Sequence, residues 1–374
     1  MEKCTTVQLQ GQVDDSYKIT IGANLMQRTA NELALALLGS QYAVISDSNV
    51  WELYGKRMTE CLRESELNFK VITFPAGEAF KSRETKAYIE DKMLAAQLGR
   101  DCVIIAFGGG VTGDLAGFVA ATYNRGIPYV QIPTSLLAQV DSSVGGKVAI
   151  NVPLGKNLVG AFHQPKAVYI NVNFLSTLPK RHIRTGLAET IKHAVLCDEK
   201  MFTLLEQELD AILNLEDKSM LIDMVTKSLK VKIKVVETDE YETNWRKILN
   251  YGHTVGHAIE KIMNFQMSHG EAVSIGMNVA GQIAVALGLM PQGHLSRQMT
   301  LLARAGLPCK VPETIEQDQI LAAILSDKKV RKGKPEYVLP SRIGQMAQFG
   351  KSYSRPVDDW IVVEAIKKNK TAKL

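Results

Sequence analysis

The chain is poor in the features that mark secreted, membrane-spanning or nucleic-acid-binding proteins. It has five cysteines in 374 residues (Cys4, Cys61, Cys102, Cys197 and Cys309), far apart and with no CxxC pair. An odd, scattered set argues against a disulfide framework and a cysteine zinc site, and predicts a reducing, cytoplasmic setting. No run of 18 apolar residues occurs, so no membrane-spanning helix is expected. The start of the chain lacks a basic-then-apolar secretion pattern, because Glu2 and Lys3 lead into an alternating segment. A strong charge excess is missing too: 44 Lys and Arg against 39 Asp and Glu give +5. The basic residues are dispersed, which argues against nucleic acid and leaves a small anionic substrate that a few local cations could meet. There is no internal repeat, and the one biased segment is a Lys-rich tail at 367–373.

What is present is the composition of a globular protein, 46% apolar and 22% charged. The length predicts two domains, divided near residue 178 into 1–178 and 179–374. In the first, strands are expected at 6–13, 17–21, 42–46, 69–74, 102–107, 129–132 and 167–171. The first two are joined by turn residues Asp14-Asp15-Ser16. Helical periodicity falls at 24–38, after Asp47-Ser48-Asn49, at 82–98 and at 111–124. This alternation predicts an α/β domain with a mostly parallel sheet and helices on both faces. Residues 133–165 are rich in Gly, Ser, Pro and Asn without clear periodicity, as functional loops often are. Beyond Pro179 the pattern is mainly α-helical: 180–196, 200–214, 217–238, 245–263, 270–288, 293–305 and 315–326, short strands at 336–339 and 345–349, and a helix at 357–368.

Two stretches carry chemistry. GGGVTGD (108–114) lies where a strand hands over to a helix. Glycines let the backbone approach a phosphate, and the helix N-terminus supplies N–H groups and positive potential. The spacing is not GxGxxG, so the usual dinucleotide fingerprint is not matched, and a glycine triplet can equally be a tight turn. Asp47 and Asn49, at an earlier strand end, could reach ribose hydroxyls, although Asp47 could instead cap a helix. Glu78 and Lys81 follow the next strand and could line the same crevice.

The second stretch runs from Asn250 to Glu271 and holds three of the seven histidines: His253, His257 and His269. His253 and His257 are four apart, so a helix puts them on one face, and His269 could return from the next helix. Two imidazoles and a carboxylate suit a catalytic zinc with an open position. A lone helix histidine is usually an ordinary one; three among glycines, with Glu260 and Glu271 nearby, point to a site. The spacing leaves open which two of the three bind.

Taken together, GGGVTGDLAGFVAATYNRGI (108–127), PTSLLAQVDSSVGGK (133–147), GKNLVGAFHQP (155–165), TLPKR (177–181), GLAETIK (186–192) and the histidine stretch closely resemble the 3-dehydroquinate synthases of the sugar phosphate cyclase family. The resemblance runs nearly end to end. It implies an NAD-binding N-terminal domain and a helical domain holding a divalent metal, usually zinc, with cobalt or another divalent ion as alternatives. The implied metal ligands are Glu189, His253 and His269, which moves His257 to the substrate phosphate. Substrate contacts implied in the same way are Asp141, Lys147, Lys156, Asn157, Lys192, Lys232, Arg246, Asn250 and a lysine of the Asp327-Lys328-Lys329 run, assigned to Lys329. The implied NAD site comprises Asp47, Asn49, Glu78, Lys81, Gly109, Gly110, Val111, Asp114, Thr134, Ser135, Asp141, Ser142, Lys147, Lys156, Asn157 and Thr177. Arg125 matches a residue that serves the neighbouring subunit's phosphate site, which implies a functional homodimer.

The implied reaction converts 3-deoxy-D-arabino-heptulosonate 7-phosphate to 3-dehydroquinate and phosphate, in the shikimate pathway. It proceeds by transient oxidation with NAD, phosphate elimination, re-reduction, ring opening and an intramolecular aldol. The chain is expected to be monofunctional. Rival expectations are another cyclase such as 2-deoxy-scyllo-inosose synthase, a metal-dependent polyol dehydrogenase, or a non-catalytic scaffold, which would have lost the ligand set. Departures from the family pattern are Ser135, Val148, Asn171 and Asn244-Trp245; none is a proposed ligand or a proposed anion-binding residue.

Overall fold

The structure is a computed structural model that describes residues 15–264, 266–325 and 334–370. The strand expected at 6–13 and the lysines Lys328 and Lys329 lie outside the described residues. The longer strands, in chain order, are β1 (Lys18–Gly22), β2 (Gln41–Asp47), β3 (Phe69–Phe74), β4 (Cys102–Gly108), β5 (Tyr129–Pro133), β6 (Lys147–Val152), β7 (Gly155–Phe162) and β8 (Ala167–Asn171). Six of them form a parallel sheet in the order β1-β8-β5-β4-β2-β3. Every residue of β4 is buried, as expected of a central strand covered on both faces.

The two faces divide by the period-2 rule. Ala43 and Ile45 of β2, with Ile104 and Ala106 of β4, face α3 (Arg83–Ala95) and α4 (Gly110–Thr122) through Ile89, Met93, Leu115 and Val119. Tyr42, Val44, Val103, Ile105 and Phe107 point the other way. They meet Leu33, Met58 and Leu62 of α1 (Met26–Ala36) and α2 (Ser48–Glu64).

The remainder is mainly helical: α5 (Lys180–Cys197), α6 (Glu199–Asn214), α7 (Lys218–Thr238), α8 (His253–Ile262), α9 (His269–Ala286), α10 (Gln292–Arg304), α11 (Gln317–Leu325) and α12 (Asp359–Lys368). Aspartates start α6 and α7 by accepting backbone N–H groups: Asp198 from Met201 at 2.9 Å and Asp217 from Ser219 at 2.7 Å. Helix α5 runs through the middle, buried from Ile183 to Leu196 except at Arg184.

Two expectations are corrected. Residues 133–165 are not structureless. They hold a π-helical turn, Ala138–Ser142, and the antiparallel hairpin β6–β7. Val148, Ala149 and Ile150 are buried in succession, Val148 and Ile150 in the core shared with α4, and their β7 partners Ala161 and Val159 are half-buried against the same core. The helix expected at 245–263 is broken into a 3₁₀ segment, Trp245–Asn250, and α8. Gly252, with φ 78°, makes the break, and the buried Tyr251 anchors it by donating its hydroxyl to Met277 O (3.0 Å) and Gln298 Oε1 (2.8 Å). The departures from the family pattern are absorbed by packing. Val148 packs on Gly117 of α4, Asn171 Oδ1 accepts from Asn173 N (3.2 Å), and Trp245 meets Tyr353 edge-on at 4.5 Å.

Candidate metal and anion site

The site is built where α5, α8 and α9 converge. Glu189 and Lys192, one turn apart on α5, are 0% and 1% exposed by side chain, and the Lys192 ammonium lies against Glu189 Oε2. His253 opens α8. His269 opens α9, where Glu271 completes a cap by accepting the Ser268 N–H at 2.8 Å and is itself gripped by Arg181 at 2.8 and 3.1 Å. Three glycines bring these helix starts together. A Cβ on Gly276 of α9 would stand 1.9 Å from Gly252 O, and one on Gly256 would stand 3.1 Å from Ala272 O.

The result is a triad. Glu189 Oε1 lies 3.7 Å from His253 Nε2 and 3.4 Å from His269 Nε2. Ligands bound tetrahedrally at about 2.0–2.1 Å from zinc stand roughly 3.3–3.4 Å apart, so this spacing suits one ion. The Glu189 carboxylate is fully buried, with Oε2 against the Lys192 ammonium and Oε1 turned to the two imidazoles, which suits a ligand. The far nitrogens are oriented as metal histidines usually are. His253 Nδ1 meets Tyr251 O at 3.1 Å, and His269 Nδ1 meets Glu260 Oε2 at 3.2 Å. Both partners only accept, so each Nδ1 carries a hydrogen and each Nε2 faces the triad. Two other groups of compatible side chains overlap this one among the described residues: His257, Glu260 and His269, and Asp141, Glu189 and His193.

Electrostatics set the protonation. Burial would raise the Glu189 carboxyl, but Lys192 and His269 outweigh it and hold it at about 2. Burial would lower His269, yet hydrogen bonds to Glu189 and Glu260 raise it to about 10. The metal-free protein therefore holds an imidazolium at His269 in neutral solution.

Around the triad stands a ring of cations, each with an acidic or carbonyl partner. Lys232 of α7 donates to Asp141 Oδ1 at 2.7 Å. Arg246, 2% exposed, donates to Gly145 O (3.0 Å) and Glu240 O. Lys147 pairs with Glu242, which also accepts from Asn250. Lys156 pairs with Glu260 at 3.1 Å. Asp141 also lies 3.6 Å from His193 Nε2, whose Nδ1 meets Ser228 Oγ at 2.8 Å. Burial would raise Asp141, but Lys232 and His193 hold it well below the usual carboxylate range. His257 stands beside the triad, its ring centre 5.1 Å from that of His253.

The glycine turn lies where β4 hands over to α4. Gly109 precedes α4 and Gly110 opens it; a Cβ there would stand 3.4 Å from Ser135 Oγ and 3.0 Å from Ser142 Oγ respectively. Two hydroxyls thus converge on a helix N-terminus, a cradle shaped for phosphate. Thr134 N–H donates to Gly108 O at 2.9 Å, and Val111 lies in the first turn of α4. Lys81 pairs with Asp114 and donates to Asn157 Oδ1 at 2.5 Å. Asn151 links Glu78 (2.8 Å) to Asn157 N (3.1 Å). Asp47 caps α2 by accepting from Asn49 and Val50 N–H, both at 3.1 Å, and its other oxygen accepts from Thr112 at 3.2 Å. Thr177 is turned to the Tyr54 hydroxyl (2.6 Å). Arg125 stands apart: it is exposed, with φ 70°, and makes no ion pair among the described residues.

Sequence reasoning passed over Glu242, Asp239, His193 and Ser228 and gave Glu260 no role of its own. Asp239 accepts the N–H groups of Thr243, Asn244 and Arg246 at 2.7–3.0 Å, which folds the loop that aims Arg246. The run Asp239-Glu240-Tyr241-Glu242 just before Arg246 was a charge signal that could have flagged this loop. Glu260, one turn beyond His257, shares the helix face of the two histidines.

Comparison with known proteins agrees over most of the chain. Residues 71–185 match the model of the 3-dehydroquinate synthase N-terminal region, and residues 186–330 match that of the C-terminal region. A 3-dehydroquinate synthase from Rippkaea orientalis is 44% identical over 336 residues, covering 88% of this chain and 91% of that protein. Among solved structures, 2-deoxy-scyllo-inosose synthase complexed with carbaglucose-6-phosphate, NAD+ and Co2+ superposes with TM-score 0.85 at 28% identity, covering 94% of this chain and 97% of the other. A 2-epi-5-epi-valiolone synthase from Streptomyces hygroscopicus subsp. jinggangensis 5008, with NAD+ and Zn2+ bound, gives 0.87 at 28% identity over 97% of this chain and 99% of its own. With both halves of its sequence matched and its fold shared with metal- and NAD-binding cyclases, this chain belongs to the 3-dehydroquinate synthase family.

Proposed function

We propose that this protein converts 3-deoxy-D-arabino-heptulosonate 7-phosphate to 3-dehydroquinate and phosphate, with NAD at the α4 N-terminus and a divalent metal, zinc or cobalt, on Glu189, His253 and His269. The observation that carries this reading is a three-ligand triad enclosed by lysines and an arginine. When bound, NAD would accept and return a hydride, and the metal would polarise a substrate hydroxyl. The chain's own residues do the remainder. Lys147, Lys192, Lys232 and Arg246, with Lys329, meet the carboxylate and phosphate, and Asn157 and Asn250 orient the ring hydroxyls. His257 faces the leaving phosphate. Asp141, kept ionised by Lys232, accepts from a substrate hydroxyl near the nicotinamide.

The pairings also favour one route for the proton. Four carboxylates at the metal and anion end have a lysine beside them: Asp141–Lys232, Glu189–Lys192, Glu242–Lys147 and Glu260–Lys156. Glu189 and Glu260 are held at about 2, which makes them weak bases. That supports removal of the proton by the departing phosphate. Arg125, exposed and away from the triad, suits service to a second copy's phosphate site in a homodimer. No described helix is long and apolar enough to cross a membrane, and we place the protein in the cytoplasm.

The decisive assay supplies the heptulosonate phosphate, catalytic NAD+ and zinc, and follows phosphate with product identification. Phosphate without net NADH is expected. Stoichiometric NADH would point to a dehydrogenase, and phosphate release from glucose 6-phosphate alone would point to another cyclase.

Metal uptake should also release protons. His269 is raised to about 10 in the metal-free protein, so zinc displaces one proton from it. Apparent zinc affinity should rise about tenfold per pH unit from pH 7 until the pH nears that value, and level off above it. Calorimetry at pH 7.5 in buffers of different ionisation heat should give about one proton released per zinc. A value near zero would contradict the protonation state described.

A further inference from the structure

Glu260 is buried, 2% exposed, on α8, and it has two partners from different parts of the fold. Its Oε2 accepts from His269 Nδ1 at 3.2 Å, and its Oε1 accepts from Lys156 Nζ at 3.1 Å. Lys156 belongs to β7 of the hairpin that packs on α4, next to Asn157, which is bonded to Lys81. One carboxylate therefore touches both a candidate metal ligand and the hairpin that packs on α4 behind the glycine turn.

We propose that Glu260 is a positioning residue that fixes the His269 ring for the metal and, through Lys156, ties metal affinity to the placement of the β6–β7 hairpin. The inference rests on the metal reading given above. A carboxylate behind a metal-bound imidazole fixes the tautomer and ring plane and raises ligand basicity, and its loss commonly weakens metal binding 10–100-fold. The link is reciprocal by thermodynamic necessity: whatever moves Lys156 changes the free energy of metal at His269, and the reverse. Occupancy of the nucleotide crevice, through Lys81 and Asn157, would then be felt at the metal with no ligand shared between them.

The test is zinc affinity of the metal-free full chain, by competition with a chromophoric chelator, for wild type, E260Q, K156M and the double variant. E260Q should bind zinc about 10–100-fold more weakly. K156M should shift affinity about threefold or more when Glu260 is present and leave it nearly unchanged in the E260Q background. Cobalt-loaded E260Q should keep a four-coordinate visible band of altered position. Wild-type affinity in E260Q, or additive effects of the two substitutions, would overturn the inference while leaving the metal reading in place. Collapse of the cobalt band would mark Glu260 as a ligand and overturn it as well. Failure of the wild type itself to bind zinc would remove the metal reading and this inference with it. Should E260Q fail to fold, K156M alone decides: an unchanged affinity there overturns the proposal.

Discussion

Glu189→Gln is expected to leave a protein that binds little zinc and turns over at least roughly 10³-fold more slowly, because a bound metal contributes several kcal/mol of charge stabilisation in such reactions. The substitution keeps the shape of the side chain and removes its charge. It also strands Lys192, whose ammonium lies against the carboxylate with 1% of its side chain exposed. An unpaired charge at that depth costs about 3–5 kcal/mol, so the variant should also melt earlier. The two effects separate in the double variant Glu189→Gln, Lys192→Met. Removing both charges should restore much of the thermal stability and none of the activity or metal content. Full activity of Glu189→Gln in metal-buffered assay would show that this residue is no ligand.

Gly276→Ala should be the most damaging single methyl in the helical half. Its Cβ would sit 1.9 Å from Gly252 O and 2.9 Å from Gly256 N, both backbone atoms that cannot swing aside. Helices α8 and α9 would have to part, and overpacking that displaces backbone costs about 1–3 kcal/mol or more. The same displacement would widen the His253–His269 gap, which now brackets Glu189 at 3.7 and 3.4 Å. The expected result is a lowered melting temperature together with weakened zinc binding. Gly293→Ala is the matched control, since nothing lies within 4 Å of that Cβ and no effect is expected. A stable, zinc-replete Gly276→Ala protein would show that the two helix starts have slack that their contacts do not suggest.

The α/β half was legible because its buried strands are short apolar runs punctuated by Gly, Asp and Asn, and β4 reads as continuous for the simple reason that both its faces are covered. The β6–β7 hairpin was not, since Val148, Ala149 and Ile150 are buried in succession and the residues opposite, Ala161 and Val159, are only half-buried, so pairing rather than pattern makes it a sheet. The break at Tyr251-Gly252 was hidden for a related reason. Ile248, Leu249, Val255 and Ile259 are all buried in one core, so apolar spacing continues across a turn that only the positive φ of Gly252 reveals. In the site, residue spacing found three histidines and could not rank them. The family resemblance implies the pair His253 and His269, and the structure sets Glu189 Oε1, on a separate helix, within 3.7 Å of the Nε2 atoms of both. Glu242 escaped notice because its partners, Lys147 and Asn250, come from opposite ends of the motif set and meet only in the folded chain.

The strand order has a bearing on how the protein is made. Among the described strands β1 sits at the sheet edge beside β8, which ends at Asn171, whereas β2 pairs with β3 and β4, which are made soon after it. On a translating ribosome β1 must wait for all the intervening strands before it can dock, exposing its edge and apolar residues to chaperones meanwhile. Placement of β8 between β1 and β5 is then the step that completes the six-stranded sheet, and α5, with Glu189, is the next long element after β8. Synthesis of the first residue of the triad is thereby timed to completion of the parallel sheet.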